Sequence, residues 1–120
     1  MCGFAGFLGQ GVGAHAPELQ LLLGRMGQAI AHRGPDDAGV WFDANTGIGL
    51  AHQRLAIIDV SAAGHQPMVS PSGRYVMAYN GEIYNHIALR RQLSVGNLAG
   101  PDWRGHSDTE TLLAAVEVWG

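Results

Sequence analysis

Lysine is absent from the chain, and cysteine occurs once, at position 2. A single cysteine excludes an internal disulfide framework and suits a reducing compartment, so a cytoplasmic location is expected. Without lysine there is no glycine-rich phosphate loop ending in Lys-Ser or Lys-Thr. Charged residues make up only 14% of the sequence, and the formal net charge is −3 with no basic run. Nucleic acid is therefore not an expected partner. Hydrophobic runs are short: none is long enough to span a bilayer, and the N-terminus lacks the basic start and apolar core of a signal peptide, so no membrane association is expected. The six histidines (His15, His32, His52, His65, His86 and His106) make no helical pair and join no further cysteine in a zinc pattern. No metal is expected.

What is present is apolar and rich in turns. The 120 residues suit one domain or part of one. An apolar fraction of 47% is ample for a core, and 18 glycines imply turns and close backbone approaches rather than a helical bundle. Phe4, Ala5, Phe7 and Leu8 predict a first, buried strand that would hold the Cys2 end rigid. Gly9 to Gly13 turn the chain. Pro17 opens a helix whose apolar stripe is Leu19, Leu22, Leu23, Met26 and Ile30, ended by Gly34-Pro35. Gly24 and Gly27 weaken it by about 1 kcal/mol each relative to alanine unless something packs closely there.

Gly39 to Asp43 is strand-like, residues 44–47 form a turn, and Ile48 to Asp59 is a second long run. Within that run Ile48, Leu50, His52 and Arg54 share a face by period two. Ser61 to Gly73 reads as a polar loop and Arg74 to Tyr79 as a strand. Ala88 to Leu93 is a short helix, and Gly96 to Gly105 an irregular connection. Ser107-Asp108-Thr109-Glu110 is a capping box, with Ser107 as N-cap and Glu110 reaching back. Leu112, Leu113, Val116 and Trp119 are the stripe of the helix it starts. The strands do not alternate regularly with helices, so antiparallel α+β is the expected class.

Three groups of residues carry chemistry. Methionine before so small a residue as Cys2 is normally trimmed, leaving a thiol and an α-amine on one residue. A terminal amine ordinarily titrates at about 7.7–8.0, so near neutral pH it can shed its proton and serve the thiol as base. Asn80-Gly81 reads either as an ordinary hairpin turn or as two donors, a side-chain amide and a backbone N–H, for a developing oxyanion. Arg54 with Glu82 and Asp108 would complement a zwitterionic amino acid, the arginine gripping the carboxylate and the acids the ammonium. Asp108 is also simply favourable in the first turn of a helix, and Arg54 could be a surface or paired arginine.

Cys2-Gly3, the strings His32 to Asp36 (His-Arg-Gly-Pro-Asp) and His52 to Asp59, Gln66-Pro67, Asn80 to Asn85 (Asn-Gly-Glu-Ile-Tyr-Asn) and Ser107 to Glu110 together resemble the glutaminase domain of glutamine-hydrolysing asparagine synthetases, in that family's order and spacing. Other class II amidotransferases share the cysteine start and an Asn-Gly element.

The resemblance implies an N-terminal-nucleophile (Ntn) hydrolase fold, a four-layer sandwich of antiparallel sheets between helices, with residues 1–120 as the N-terminal part of the glutaminase domain. It implies Cys2 as nucleophile and, through its amine, base. Asn80 and Gly81 would be the oxyanion hole, and Arg54, Glu82 and Asp108 the holders of L-glutamine. No cofactor is implied for glutamine hydrolysis. ATP and Mg²⁺ are implied for an absent C-terminal synthetase domain that turns aspartate into asparagine with the released ammonia, and the resemblance leaves room for a homodimer. Two alternatives stay open: ammonia supplied to a different acceptor, or a catalytically inactive fragment. Gly105 stands where relatives often carry threonine. Too few strands precede Gly120 to complete both sheets, so exposure of Val40, Phe42, Leu50, Ile57 and Val76, with marginal stability and association, is expected of the isolated chain.

Overall fold

A computed structural model describes residues 1–9, 15–95 and 101–120. The turn expected over Gly9 to Gly13 and the first half of the Gly96 to Gly105 connection lie largely outside the described residues. Strand β1 (Gly3–Leu8) is followed by helix α1 (Ala16–Ala29), a 3-10 turn (Ala31–Arg33), and strands β2 (Asp37–Asp43) and β3 (Ile48–Arg54). A second 3-10 turn (Ala62–Gly64) then leads to the short strands β4 (Met68–Val69) and β5 (Val76–Met77), helix α2 (His86–Val95) and helix α3 (Asp108–Trp119). Among the described residues all the pairing is antiparallel, in one sheet of order β1-β3-β2 and one of order β4-β5. The α+β expectation holds.

The β2–β3 hairpin is set by its turn. Asp43 accepts the Asn45 N–H at 2.9 Å and the Thr46 hydroxyl at 2.8 Å, and Gly47 takes a left-handed φ of 71° that favours glycine. This fixes Asp43 opposite Ile48 and Asp37 opposite Arg54, while β1 pairs Gly3 with Gln53 on the other side. Register then sorts the faces. Gly3, Ala5 and Phe7 with Gln53, Ala51 and Gly49 look toward α1. Phe4, Gly6 and Leu8 with His52, Leu50 and Ile48 look the other way.

The core on the α1 side is small and tight. Leu23 and Ala51 are fully buried, and burying a leucine side chain contributes about 1.5–3 kcal/mol. A Cβ on Gly27 would sit 3.3 Å from the Ala51 methyl, and the Gly27 carbonyl accepts the Gln53 amide at 3.1 Å. Glycine therefore lets α1 lie close on β3 at this point, whereas Gly24 has open space around it. Phe7 and Phe42 pack at a ring separation of 6.0 Å.

Several expectations are corrected. β1 is an edge strand rather than a buried one: Phe4 is 52% and Leu8 76% exposed, because α1 covers only the other face. Leu22 is exposed, since α1 meets the sheet through Leu23 and Gly27, with Leu19, Met26 and Ile30 half-buried at its flanks. α1 ends at Ala29, short of Gly34-Pro35. The run from Ile48 stops being strand at Arg54, whose carbonyl accepts the Asp36 N–H at 3.0 Å. The Ser61 to Gly73 loop contains a 3-10 turn and β4, and strand pairing in Arg74 to Tyr79 is confined to β5.

The capping box is half formed. Ser107 Oγ accepts the Glu110 N–H at 3.2 Å, but the Glu110 carboxylate accepts from Arg104 N (2.7 Å) and Gly105 N (3.1 Å) and pairs with Arg90. Glu110 thus fastens the preceding loop rather than the cap residue. In α3 the buried apolar residues are Leu113 and Ala114, and Trp119 is exposed. Val40 and Ile57 are exposed; Phe42, Leu50 and Val76 are half-buried.

Candidate active site

Period two carries the outward face of the sheet to its end. Cys2, two residues before Phe4, and Arg54, two after His52, both leave the sheet on the side away from α1. The Cys2 sulfur is held there by the main chain of Leu55: Sγ accepts the Leu55 N–H at 3.2 Å, and the thiol donates to the Leu55 carbonyl at 3.5 Å. The end of β3 is itself clamped. Asp36 accepts the Ala56 N–H at 2.8 Å, and a side chain at Gly34 would collide with the Arg54 backbone. The His-Arg-Gly-Pro-Asp string thereby acts on the site through backbone.

Arg54 is buried, 7% exposed. A charge so placed needs partners, and the chain folds back to supply them. Its guanidinium donates to the carbonyl of Ser61 at 2.8 Å and to that of Asp59, and it lies against Gly64, where a Cβ would coincide with it. The Asp59 carboxylate accepts the Ser61 N–H (2.8 Å), the Ser61 hydroxyl (2.5 Å) and the His106 N–H (2.6 Å). Burial pushes Asp59 up, but these hydrogen bonds and the Arg54 charge outweigh it and hold the carboxyl at about 2.

Asn80 and Gly81 follow β5 without forming a hairpin, and Gly81 does not have the positive φ of a tight hairpin turn. Their segment is pinned from three sides. Gln66 accepts the Tyr79 N–H at 2.7 Å and donates to Thr109 Oγ1 at 3.2 Å. His52 Nε2 contacts the Tyr79 carbonyl at 3.1 Å, and burial moves His52 below its ordinary pKa. Asp108 accepts the Ile83 N–H at 2.8 Å. The Tyr79 phenol is raised by burial and by the neighbouring Asp108 and Glu82 carboxylates.

These elements enclose one cavity of about 350 Å³. Cys2, Arg54, Asn80, Gly81, Glu82 and Asp108 all line it, together with Met1. The six residues singled out in the sequence, drawn from four separate stretches of chain, therefore share one chamber. Arg54 and Asp108 are buried and fixed in its wall, Cys2 and Asn80 are half-buried, and Glu82 is exposed. Asp59, Gln66 and Tyr79 also line it and were not foreseen as site residues. Asp59 and Gln66 lay inside motifs without a chemical reason to single them out, because their work is to hold backbone. Among the described residues no group of three or more His, Cys, Asp or Glu side chains could hold a metal, and no helix is long and apolar enough to cross a membrane.

A thiol, an Asn-Gly pair and charged side chains of both signs thus line one chamber. A family profile described as "Glutamine amidotransferase domain" matches residues 1–120, and the chain belongs to that family. It is 41% identical over 114 residues to asparagine synthetase [glutamine-hydrolyzing] 1 of Bacillus subtilis, covering 95% of this chain and 17% of that protein. It is 36% identical over 120 residues to asparagine synthetase [glutamine-hydrolyzing] 1 of Arabidopsis thaliana, covering all of this chain and 19% of that protein. It is also 39% identical over 93 residues to the amidase chry2 of Gibberella zeae, covering 76% of this chain and 13% of that protein. The chain thus spans about a fifth of the length of the asparagine synthetases it matches.

Proposed function

We propose that residues 1–120 are the N-terminal part of the glutaminase domain of a glutamine-hydrolysing asparagine synthetase, built as an Ntn hydrolase with a four-layer sandwich. The observation that carries this reading is the shared chamber of Cys2, Asn80-Gly81, Arg54, Glu82 and Asp108. Met1 lines the chamber beside Cys2 and is 75% exposed. Its removal would free the Cys2 amine and open the site together.

Glutamine would enter with its α-carboxylate on Arg54 and its α-ammonium near Asp108 and Glu82, leaving its carboxamide toward Cys2. The Cys2 amine takes the thiol proton as Sγ attacks the amide carbon. The oxyanion that forms accepts from the Asn80 side-chain amide and the Gly81 N–H. The amine then returns the proton to the leaving nitrogen, the C–N bond breaks, and ammonia departs from a thioester. Water attacks that thioester with the same amine as base, releasing glutamate and restoring the thiol. Water and glutamine thereby become glutamate and ammonia, with no cofactor in the step.

In this reading the ammonia is used by a C-terminal synthetase domain that binds aspartate, ATP and Mg²⁺, and no residue of 1–120 is assigned to those ligands. A second reading is ammonia delivered to another acceptor; 76% of the chain is also similar to a relative named as an amidase rather than as an asparagine synthetase. The two differ outside these residues and are separated by which amide product accumulates. The glutaminase step is tested by treating the protein with a glutamine-mimicking electrophile and locating the adduct by mass spectrometry. Labelling of Cys2, blocked by excess glutamine, is expected. Labelling elsewhere, or none, overturns the assignment.

A further inference from the structure

The two charged clamps of the chamber stand on different parts of the chain, and the Asp59 side chain is one of the links between them. Arg54 is carried by the end of β3 and the loop 55–61, whose Asp59 and Ser61 carbonyls accept its guanidinium. Asp108 is carried by the start of α3. Between loop 55–64 and the segment 104–108, among the described residues, one hydrogen bond crosses: the Asp59 carboxylate accepts the His106 N–H at 2.6 Å. The same carboxylate takes Ser61 N and Oγ on its other oxygen, so it is fastened at both ends. The contact is closed by Gly105. A Cβ there would run into Asp59 Oδ2 and stand 2.6 Å from the Ala63 methyl.

We propose that Asp59 is a positioning residue that fixes the separation of Arg54 and Asp108, and so sets the preference of the site for an α-amino acid bearing both charges. The inference rests on the glutaminase reading above. Its physical basis is geometric. An arginine fork and a carboxylate each bind a free ion weakly, but held at one fixed distance they reward only a ligand whose own charges match that distance. Asp59 supplies the fixed distance from a buried position, 6% exposed, where its hydrogen bonds are little screened by water. In this chain the Asp59–His106 contact leaves no room for a Cβ at position 105.

The test compares three substrates in the full protein: L-glutamine; glutaramate, which lacks the α-ammonium; and 4-aminobutanamide, which lacks the α-carboxylate. The unvaried protein is expected to favour glutamine strongly in kcat/KM. In Asp59→Asn, whose amide cannot accept on both sides, that preference should fall by about tenfold or more, with kcat on saturating glutamine within about threefold. Loss of folded protein would lower all three activities together and leave the ratio unchanged, so the ratio reports position rather than stability. Gly105→Ala should lower the ratio likewise and is read in place of Asp59→Asn if that variant does not fold. An unchanged ratio overturns the role of Asp59. Failure of the unvaried protein to prefer glutamine overturns the glutaminase reading itself, and this inference with it.

Discussion

The carboxylate of Asp108 accepts the backbone N–H of Ile83 at 2.8 Å, so the first residue of α3 is tied to the segment that presents Asn80 and Gly81. Its other oxygen accepts the Thr109 N–H at 2.9 Å. One side chain therefore ties an acidic group and the Asn80-Gly81 pair to the same wall, while Arg54 stands on a wall built by the β3 loop. The division suggests distinct kinetic signatures for the two sides.

Asn80→Ala is expected to lower kcat for glutamine hydrolysis by about 10²–10³-fold with a small change in KM, because the oxyanion exists only along the reaction path. Arg54→Ala should chiefly raise KM, because the carboxylate is held throughout. Steady-state kinetics of both variants decide the matter. The same signature from both would mean that one of the two roles is misassigned.

Removal of Met1 is expected to be required for turnover. With Met1 retained, the Cys2 nitrogen is a peptide amide without useful basicity, and the extra residue occupies the chamber wall. Intact mass spectrometry alongside a glutamate-release assay checks this, and full activity from a chain that keeps Met1 would rule the mechanism out. Cys2→Ala should abolish glutamate release.

The two glycines of α1 should respond oppositely to alanine. Gly24 is exposed with nothing within 4 Å of a Cβ, so Gly24→Ala should stabilise by about 0.5–1 kcal/mol through helix propensity and chain entropy. At Gly27 the new methyl meets Ala51 at 3.3 Å, so the helix must shift off β3 and strain the Gln53 hydrogen bond. Gly27→Ala should gain nothing or lose stability. Thermal unfolding of the pair tests this, and equal gains would contradict the packing described for α1.

Asp59 should give the protein an acid-sensitive contribution. Its folded-state value of about 2 lies below the ordinary 3.8, so the ionised form is favoured by folding. That stability is fully present above about pH 4 and is lost as pH falls toward 2, amounting to about 2 kcal/mol at most. Urea unfolding followed across that range should show a flatter pH dependence in Asp59→Asn than in the unvaried chain. Parallel profiles would place the carboxylate in a less bonded setting.

Much of this could be seen in the sequence. The β2–β3 hairpin followed from alternation and the Asp43 to Gly47 turn, α1 from its leucine spacing, and the Ser107 cap from its residue type. All are local, since backbone conformation and short-range hydrogen bonds depend on neighbours along the chain. The six candidate site residues were legible as motifs, and period two placed Arg54 on one face with Ile48, Leu50 and His52.

What needed the tertiary structure was everything that depends on distant segments meeting. The stripe of α1 is centred on Leu23 and Gly27 because Ala51, from another element, leaves room only there. The Glu110 carboxylate bonds Arg104, Gly105 and Arg90 instead of the Ser107 backbone, which a reading of four consecutive residues cannot weigh. Asp59 and Gln66 looked like ordinary motif residues until folding set the first against His106 and the second between Tyr79 and Thr109. Spacing along the chain specifies which residues share a face. Which backbone groups a side chain must satisfy, and so which residues hold the chamber in shape, is decided only when the segments pack and exclude water.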